Sequence, residues 1–169
     1  PIMKRLLTLL AVIVLIGIVL AGCKTENRYP DPTEDFFVND FAGVLDRQDE
    51  QYIQQMAVDL YNKTTAQAVV VVIDSLDGES IEDYALNLFR QWGIGQKDKN
   101  NGILMLISIG DKKSRIEVGY GLEGALPDGK TGRIQDEFML PWFRQENYAE
   151  GIKNGYKAIV QEIYREYGI

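Results

Sequence analysis

A chain of 169 residues suffices for one domain of ordinary size, and a composition of 46% hydrophobic and 25% charged residues is that of a globular protein. The formal net charge of -7 repels nucleic acid, and no basic stripe with interleaved aromatics offsets it. There is no histidine, which excludes Ser-His-Asp and Cys-His nucleophiles and imidazole-built zinc or copper sites; hard oxygen ligands remain, suited to calcium and less so to magnesium.

The chain opens with Lys4 and Arg5, followed by an uncharged apolar run from Leu6 that closes on Leu20-Ala21-Gly22-Cys23. A positive start, an apolar core and small residues before a cysteine describe a secretory signal of the bacterial lipoprotein kind. Residues 1–23 are therefore read as signal peptide and lipobox, with Cys23 as the lipidation site. An uncleaved membrane helix is the other reading, although the run is short against the roughly 20 residues needed to span a bilayer. Both readings put the remainder in the cell envelope, on the extracytoplasmic side and held at a membrane. Cys23 is the only cysteine, so no intramolecular disulfide forms. Residues 24–35 are polar, carry Pro30 and Pro32, and read as a flexible tether.

Residues 36–169 read as one exported domain. Phe36 to Asp40 is a short opening segment. Asp46 caps a first helix, with Ile53, Met56, Ala57 and Leu60 on its apolar face and an end near Asn62. Ala68 to Ile73 is a β-branched run without alternation, as expected of a strand covered on both faces. Ser80 and Asp83 open a second helix that Gly93 stops. A polar turn at 98–102 leads to a second buried strand from Ile103 to Ile109. A short hairpin at 110–114 leads into a strand at Arg115, where Ile116, Val118 and Tyr120 alternate. Ile134, Phe138 and Met139 mark a third helix interrupted at Pro141, and Asn147 caps a last one through Ile163. The order α-β-α-β-β-α-α implies an α/β fold. Its expected form is a three-layer α/β/α sandwich with a mixed, mostly parallel sheet, one β-hairpin and helices on both faces.

The stretch from Arg115 to Asp128 concentrates the chemistry. Gly119, Gly121 and Gly124 let the backbone turn sharply and approach a ligand or another chain closely, and Gly119, Tyr120 and Gly121 form a candidate binding loop. Glu123 and Asp128 place two carboxylates beside it, a natural setting for a cation. The same residues also make a tight turn with two solvated acids. Asp40 and Asp74 are further acids near strand ends, and Asp40 could equally cap the turn that follows it. Glu117 reads as a surface cross-strand partner. Residues 98–102 lack the oxygen spacing of an EF-hand.

Several separated segments together resemble the TPM domain family, found in bacterial envelope proteins and in thylakoid proteins linked to photosystem II repair. They are Val38-Asn39-Asp40-Phe41-Ala42-Gly43-Val44-Leu45, the Val-rich strand, Ser80 to Ala85, Trp92 to Lys97, Asn101 to Leu104, Arg115 to Asp128, Pro141 to Arg144 and Tyr148 to Ile152. The resemblance covers about residues 36–169. It implies an α/β/α sandwich and acidic positions able to hold a divalent cation, calcium in particular: Asp40 and Asp128, with Glu123 as a weaker candidate. Gly129 stands where the family often has Ala. The function expected is a lipid-anchored, non-catalytic envelope module that binds a protein or peptide partner and calcium. The alternative, from the thylakoid branch, is a metal-assisted acid phosphatase using Asp40 or Asp128, with Arg133 on the phosphate.

Overall fold

The computed structural model describes residues 28–169. The signal segment, Cys23 and residues 24–27 of the tether lie outside the described residues. From Asp31 onward the chain forms one folding unit. The end of the expected tether is fastened to it: the Thr33 N–H donates to Asn39 Oδ1 at 2.7 Å, and the Thr33 hydroxyl to the Val38 carbonyl at 3.0 Å.

Four strands, β1 (Val38–Asp40), β2 (Gln67–Ile73), β3 (Gly102–Ser108) and β4 (Lys113–Val118), lie in the order β1-β2-β3-β4. The first three run parallel and β4 turns back antiparallel to β3, pairing Ile103 with Val118 and Leu106 with Arg115. The opening segment at 38–40 is thus an edge strand. Its three residues are too few for periodicity to reveal, and pairing with Val70 to Val72 makes it a strand.

The helices are α1 (Arg47–Thr64), α2 (Ile81–Trp92), α3 (Asp128–Ile134), α4 (Leu140–Phe143) and α5 (Tyr148–Tyr167). The capping residues do what their chemistry implies. The Asp46 carboxylate accepts from the Gln48 and Asp49 N–H groups, Ser80 Oγ from the Asp83 N–H, and Asn147 Oδ1 from the Glu150 N–H. The first helix runs to Thr64, past Asn62, because Thr65 takes the left-handed cap conformation and donates back to Tyr61. Asp128 is the first helical residue rather than a cap, since Pro127 precedes it in extended backbone. The third helix passes into a π-helical turn at Gln135–Met139 before Pro141.

The sheet separates two apolar layers. Val70, Val72, Met105, Ile107 and Ile116 pack with Ile53 and Leu60 of α1 and with Tyr156, Ile159 and Ile163 of α5. The alternate residues Val69, Val71, Leu104 and Leu106 are also fully buried and face α2, whose Tyr84, Ala85 and Leu88 are buried in turn. Burial of each such Val, Leu or Ile contributes about 1.5–3 kcal/mol, so both layers hold the central strands. The fold is the mixed α/β sandwich expected from the element order, with helices on both faces of a mostly parallel sheet. Among the described residues no helix is long and apolar enough to cross a membrane.

Candidate functional site

Because β4 runs against β3, the loop that follows it begins at the amino ends of the parallel strands. The Gly119 N–H donates to the Gly102 carbonyl at 2.8 Å and the Gly121 N–H to the Asn100 carbonyl at 3.0 Å. A Cβ on Gly119 would stand 2.3 Å from the Asn100 oxygen, and one on Gly121 only 1.9 Å from the Lys99 oxygen. The close approach these glycines permit is therefore to the 98–101 turn of the same chain. Leu122, Ala125 and Leu126 then bury themselves in the core, and Pro127 starts α3. Tyr120 stays 80% exposed at the loop's tip.

What the loop leaves outward is a cleft along the open edge of β4, of about 320 Å³, with Arg115, Glu117 and Val118 on one side and Glu123, Leu126 and Asp128 on the other. It continues as a recess of similar volume between Glu82 of α2 and Thr131 of α3, with Gln135 just beyond that helix. The hydrogen-bonded pair at Gly119 and Gly102 fixes the alternation along the antiparallel ladder. Arg115 and Glu117 turn their backbone groups toward β3, and Ser114, Ile116 and Val118 turn theirs outward, where the sheet has no further strand among the described residues. Glu82, Glu117, Glu123 and Asp128 line the two hollows against a single base, Arg115, whose Nε sits 3.0 Å from Glu117 Oε2. The cleft is an unfilled strand position with an acidic rim.

Asp40 is elsewhere. It ends β1, three strands away from β4, a lateral separation of about 14 Å, and at the opposite, carboxyl end of the sheet. Its Oδ1 accepts from Ala42 and Gly43 at 3.1 and 2.8 Å, and its Oδ2 from Leu45 at 2.7 Å. The carboxylate ties down the turn before α1. Nearby, burial raises the Glu50 carboxyl pKa, with the negative charges of Asp40 and Asp35 adding to the rise. Asp74 is exposed after β2, and its carbonyl accepts from Gly110.

Of the three acids named for a cation, Glu123 and Asp128 share the β4 cleft and Asp40 does not. Among the described residues no three of Asp, Glu, His or Cys come together as a ready metal cage. Glu123 and Asp128 could supply two of the six to eight oxygens calcium takes, with backbone carbonyls and water completing the shell. Arg133 is exposed and lines neither hollow. Trp92 closes α2 and its ring lies 6.4 Å from that of Phe36, a packing role. Glu82 was not singled out by the sequence; it reads as an ordinary first-turn acid, and only the packing of α2 across β4 brings it to the cleft.

Comparison with known proteins agrees with this architecture. The family model described as the TPM domain matches residues 38–162. Among solved structures, the N-terminal domain of a protein from P. gingivalis superposes with a TM-score of 0.72 at 37% identity, covering 77% of this chain and 83% of that one. Two more distant structures share the fold. The BA42 protein of Bizionia argentinensis has a TM-score of 0.64 at 18% identity, covering 74% and 85%; the N-terminal domain of the cg2496 protein of Corynebacterium glutamicum has 0.60 at 17%, covering 79% and 83%. No functionally curated protein matches the chain. With a family model spanning most of its length, the chain belongs to the TPM domain family.

Proposed function

We propose that this TPM domain is a non-catalytic, partner-binding module of the cell envelope, held at a membrane by its lipidated N-terminus, and that it takes an extended, basic segment of a protein partner along β4. The observation that carries this reading is the open edge of β4 inside an acidic cleft. An extended peptide gains main-chain hydrogen bonds by adding to such an edge, and Glu82, Glu117, Glu123 and Asp128 favour a cationic one. The exposed Tyr120 ring, on the loop between β4 and Glu123, suits a partner contact. Calcium at Glu123 and Asp128 is part of the proposal as a weak site that sets the cleft's charge. The acid phosphatase alternative draws less support, because the Asp40 carboxylate is engaged by three backbone N–H groups and Arg133 does not face Asp128's cleft.

An alternating lysine–valine peptide tests the reading by fluorescence anisotropy. Binding should fall with salt, weaken about tenfold or more in Asp128→Lys, and be lost in Val118→Pro, which removes an outward N–H without touching the ladder to β3. Binding that survives Val118→Pro in a folded variant would refute strand addition.

A further inference from the structure

We propose that a second pocket, at the carboxyl end of β3, binds a small organic oxyanion with an apolar body. The pocket holds about 290 Å³. Ile107, Leu140, Phe143 and Tyr148 make its walls, the last two rings 5.3 Å apart. Lys112, Lys113 and Arg144 stand at its rim against one acid, Glu146. In a chain of net charge -7 this is a local reversal of the field. Among the described residues neither Lys112 nor Arg144 forms a salt bridge, so their charges are available to a ligand. An apolar hollow with a few convergent polar groups is the common form of a small-molecule site, and open α/β sheets place such sites at the carboxyl ends of their parallel strands.

The backbone around the pocket adds two independent observations. Lys112 and Glu146 line it with φ of +53° and +58°, left-handed conformations that side chains other than glycine rarely hold. The π-helical turn at Gln135–Met139 delivers Leu140 to the wall. Backbone outliers and π-turns gather at functional sites. The hydroxyls at the floor are already committed: Ser108 donates to Asp111 Oδ2 at 2.7 Å and Ser114 to Gln135 Oε1 at 2.9 Å. Recognition of the oxyanion thus falls to the three cations, with Arg144 offering a planar fork to a carboxylate or phosphate. Asp111 is a weak base, its pKa lowered by the Ser108 hydroxyl and the Leu76 N–H. The site is built to hold an anion rather than to turn Ser108 into a nucleophile.

Calorimetric titration of the purified 169-residue chain with phenyl phosphate and with phenylacetate tests this, with phenol and inorganic phosphate as probes lacking the charged head or the apolar body. At least one of the two amphipathic anions should bind saturably and about tenfold or more tighter than either control. Amide shifts in ¹⁵N spectra should cluster at residues 107–114 and 140–148. The double variant Lys112→Ala, Arg144→Ala should weaken binding about tenfold or more, and Glu146→Gln should tighten it. All three side chains are exposed, so the folds should persist, and a melting curve checks that. Phenol binding as tightly as phenyl phosphate, or binding indifferent to all three substitutions, would overturn the assignment.

Discussion

Replacing Gly121 with Ala separates a glycine kept for a ligand from a glycine kept for the fold. The added Cβ would lie 1.9 Å from the Lys99 oxygen, against an ordinary carbon–oxygen contact of about 3.3 Å. One of the two backbones must therefore retreat by about 1.4 Å. Neither moves freely. The 98–101 turn is pinned by Asn101, whose Oδ1 accepts from Gln96 and whose Nδ2 donates to the Tyr167 hydroxyl, both at 3.0 Å. The loop is pinned by the burial of Leu122 and Leu126. Overpacking of this kind costs about 1–3 kcal/mol, and loss of the Gly121 N–H bond to Asn100 adds about 1 kcal/mol. A domain of about 140 residues has an unfolding entropy near 0.3 kcal/mol/K, so the expected fall in Tm is about 7–14 °C. Gly124 is the control: a Cβ there meets nothing within 4 Å, and its backbone is not left-handed. Gly124→Ala should leave Tm unchanged or raise it slightly by restricting the unfolded chain. Thermal unfolding followed by circular dichroism reads both. A fall of less than about 3 °C for Gly121→Ala, or equal falls for the two variants, would refute the packing argument.

Glu50→Gln should raise Tm at neutral pH. Burial and the neighbouring Asp40 and Asp35 charges raise the Glu50 pKa above its ordinary 4.5, so its ionised form disfavours the folded state at pH above that raised value. The gap between variant and wild type should close as pH falls to about 4, where Glu50 becomes neutral; a gap independent of pH would show the effect is not ionisation. Tyr156→Phe should lower stability by about 1 kcal/mol, because the Tyr156 hydroxyl, wholly buried with its pKa pushed up by that burial, donates to the Ala68 carbonyl at 2.9 Å. Urea unfolding measures it, and an unchanged midpoint would show that the bond contributes nothing net.

The layered fold was legible because local signals and tertiary packing agree over its length. The Val-rich run at 68–73 is buried on both faces as an unalternating strand must be, and Asp46, Ser80 and Asn147 cap the helices they precede. What escaped was set by partners far along the chain. β1 has three residues and is a strand only through its pairing with β2. The end of α1 is fixed by the left-handed Thr65, whose residue type signals nothing. The π-turn at 135–139 carries the fully buried Met139 into the core, a placement that no local pattern announces. At the candidate site, the sequence singled out Glu123 and Asp128, which share a cleft, but also Asp40, which lies across the sheet. The hairpin between β3 and β4 decides that separation: it sends the glycine loop to the amino edge, whereas Asp40 closes a parallel strand at the carboxyl edge. Glu82 and the trio Lys112, Lys113 and Arg144 escaped for the same reason, since each group comes from elements that only the folded sheet makes neighbours.

The loop after β4 divides its labour by residue type, and that division makes function and stability separable. Gly119 and Gly121 are spent on backbone contact with residues 99–102, and Leu122, Ala125 and Leu126 on the core. Glu123 and Asp128, the two acids of the loop, both line the cleft and are exposed. Removing either carboxylate breaks no hydrogen bond or salt bridge of its side chain among the described residues. Surface substitutions of this kind usually move stability by no more than about 0.5 kcal/mol. The cleft's acids can therefore be changed at little cost to the fold, whereas Gly119 and Gly121 of the same loop cannot. Under the proposed function, charge changes at Glu123 and Asp128 should alter peptide binding while leaving Tm close to that of the wild type.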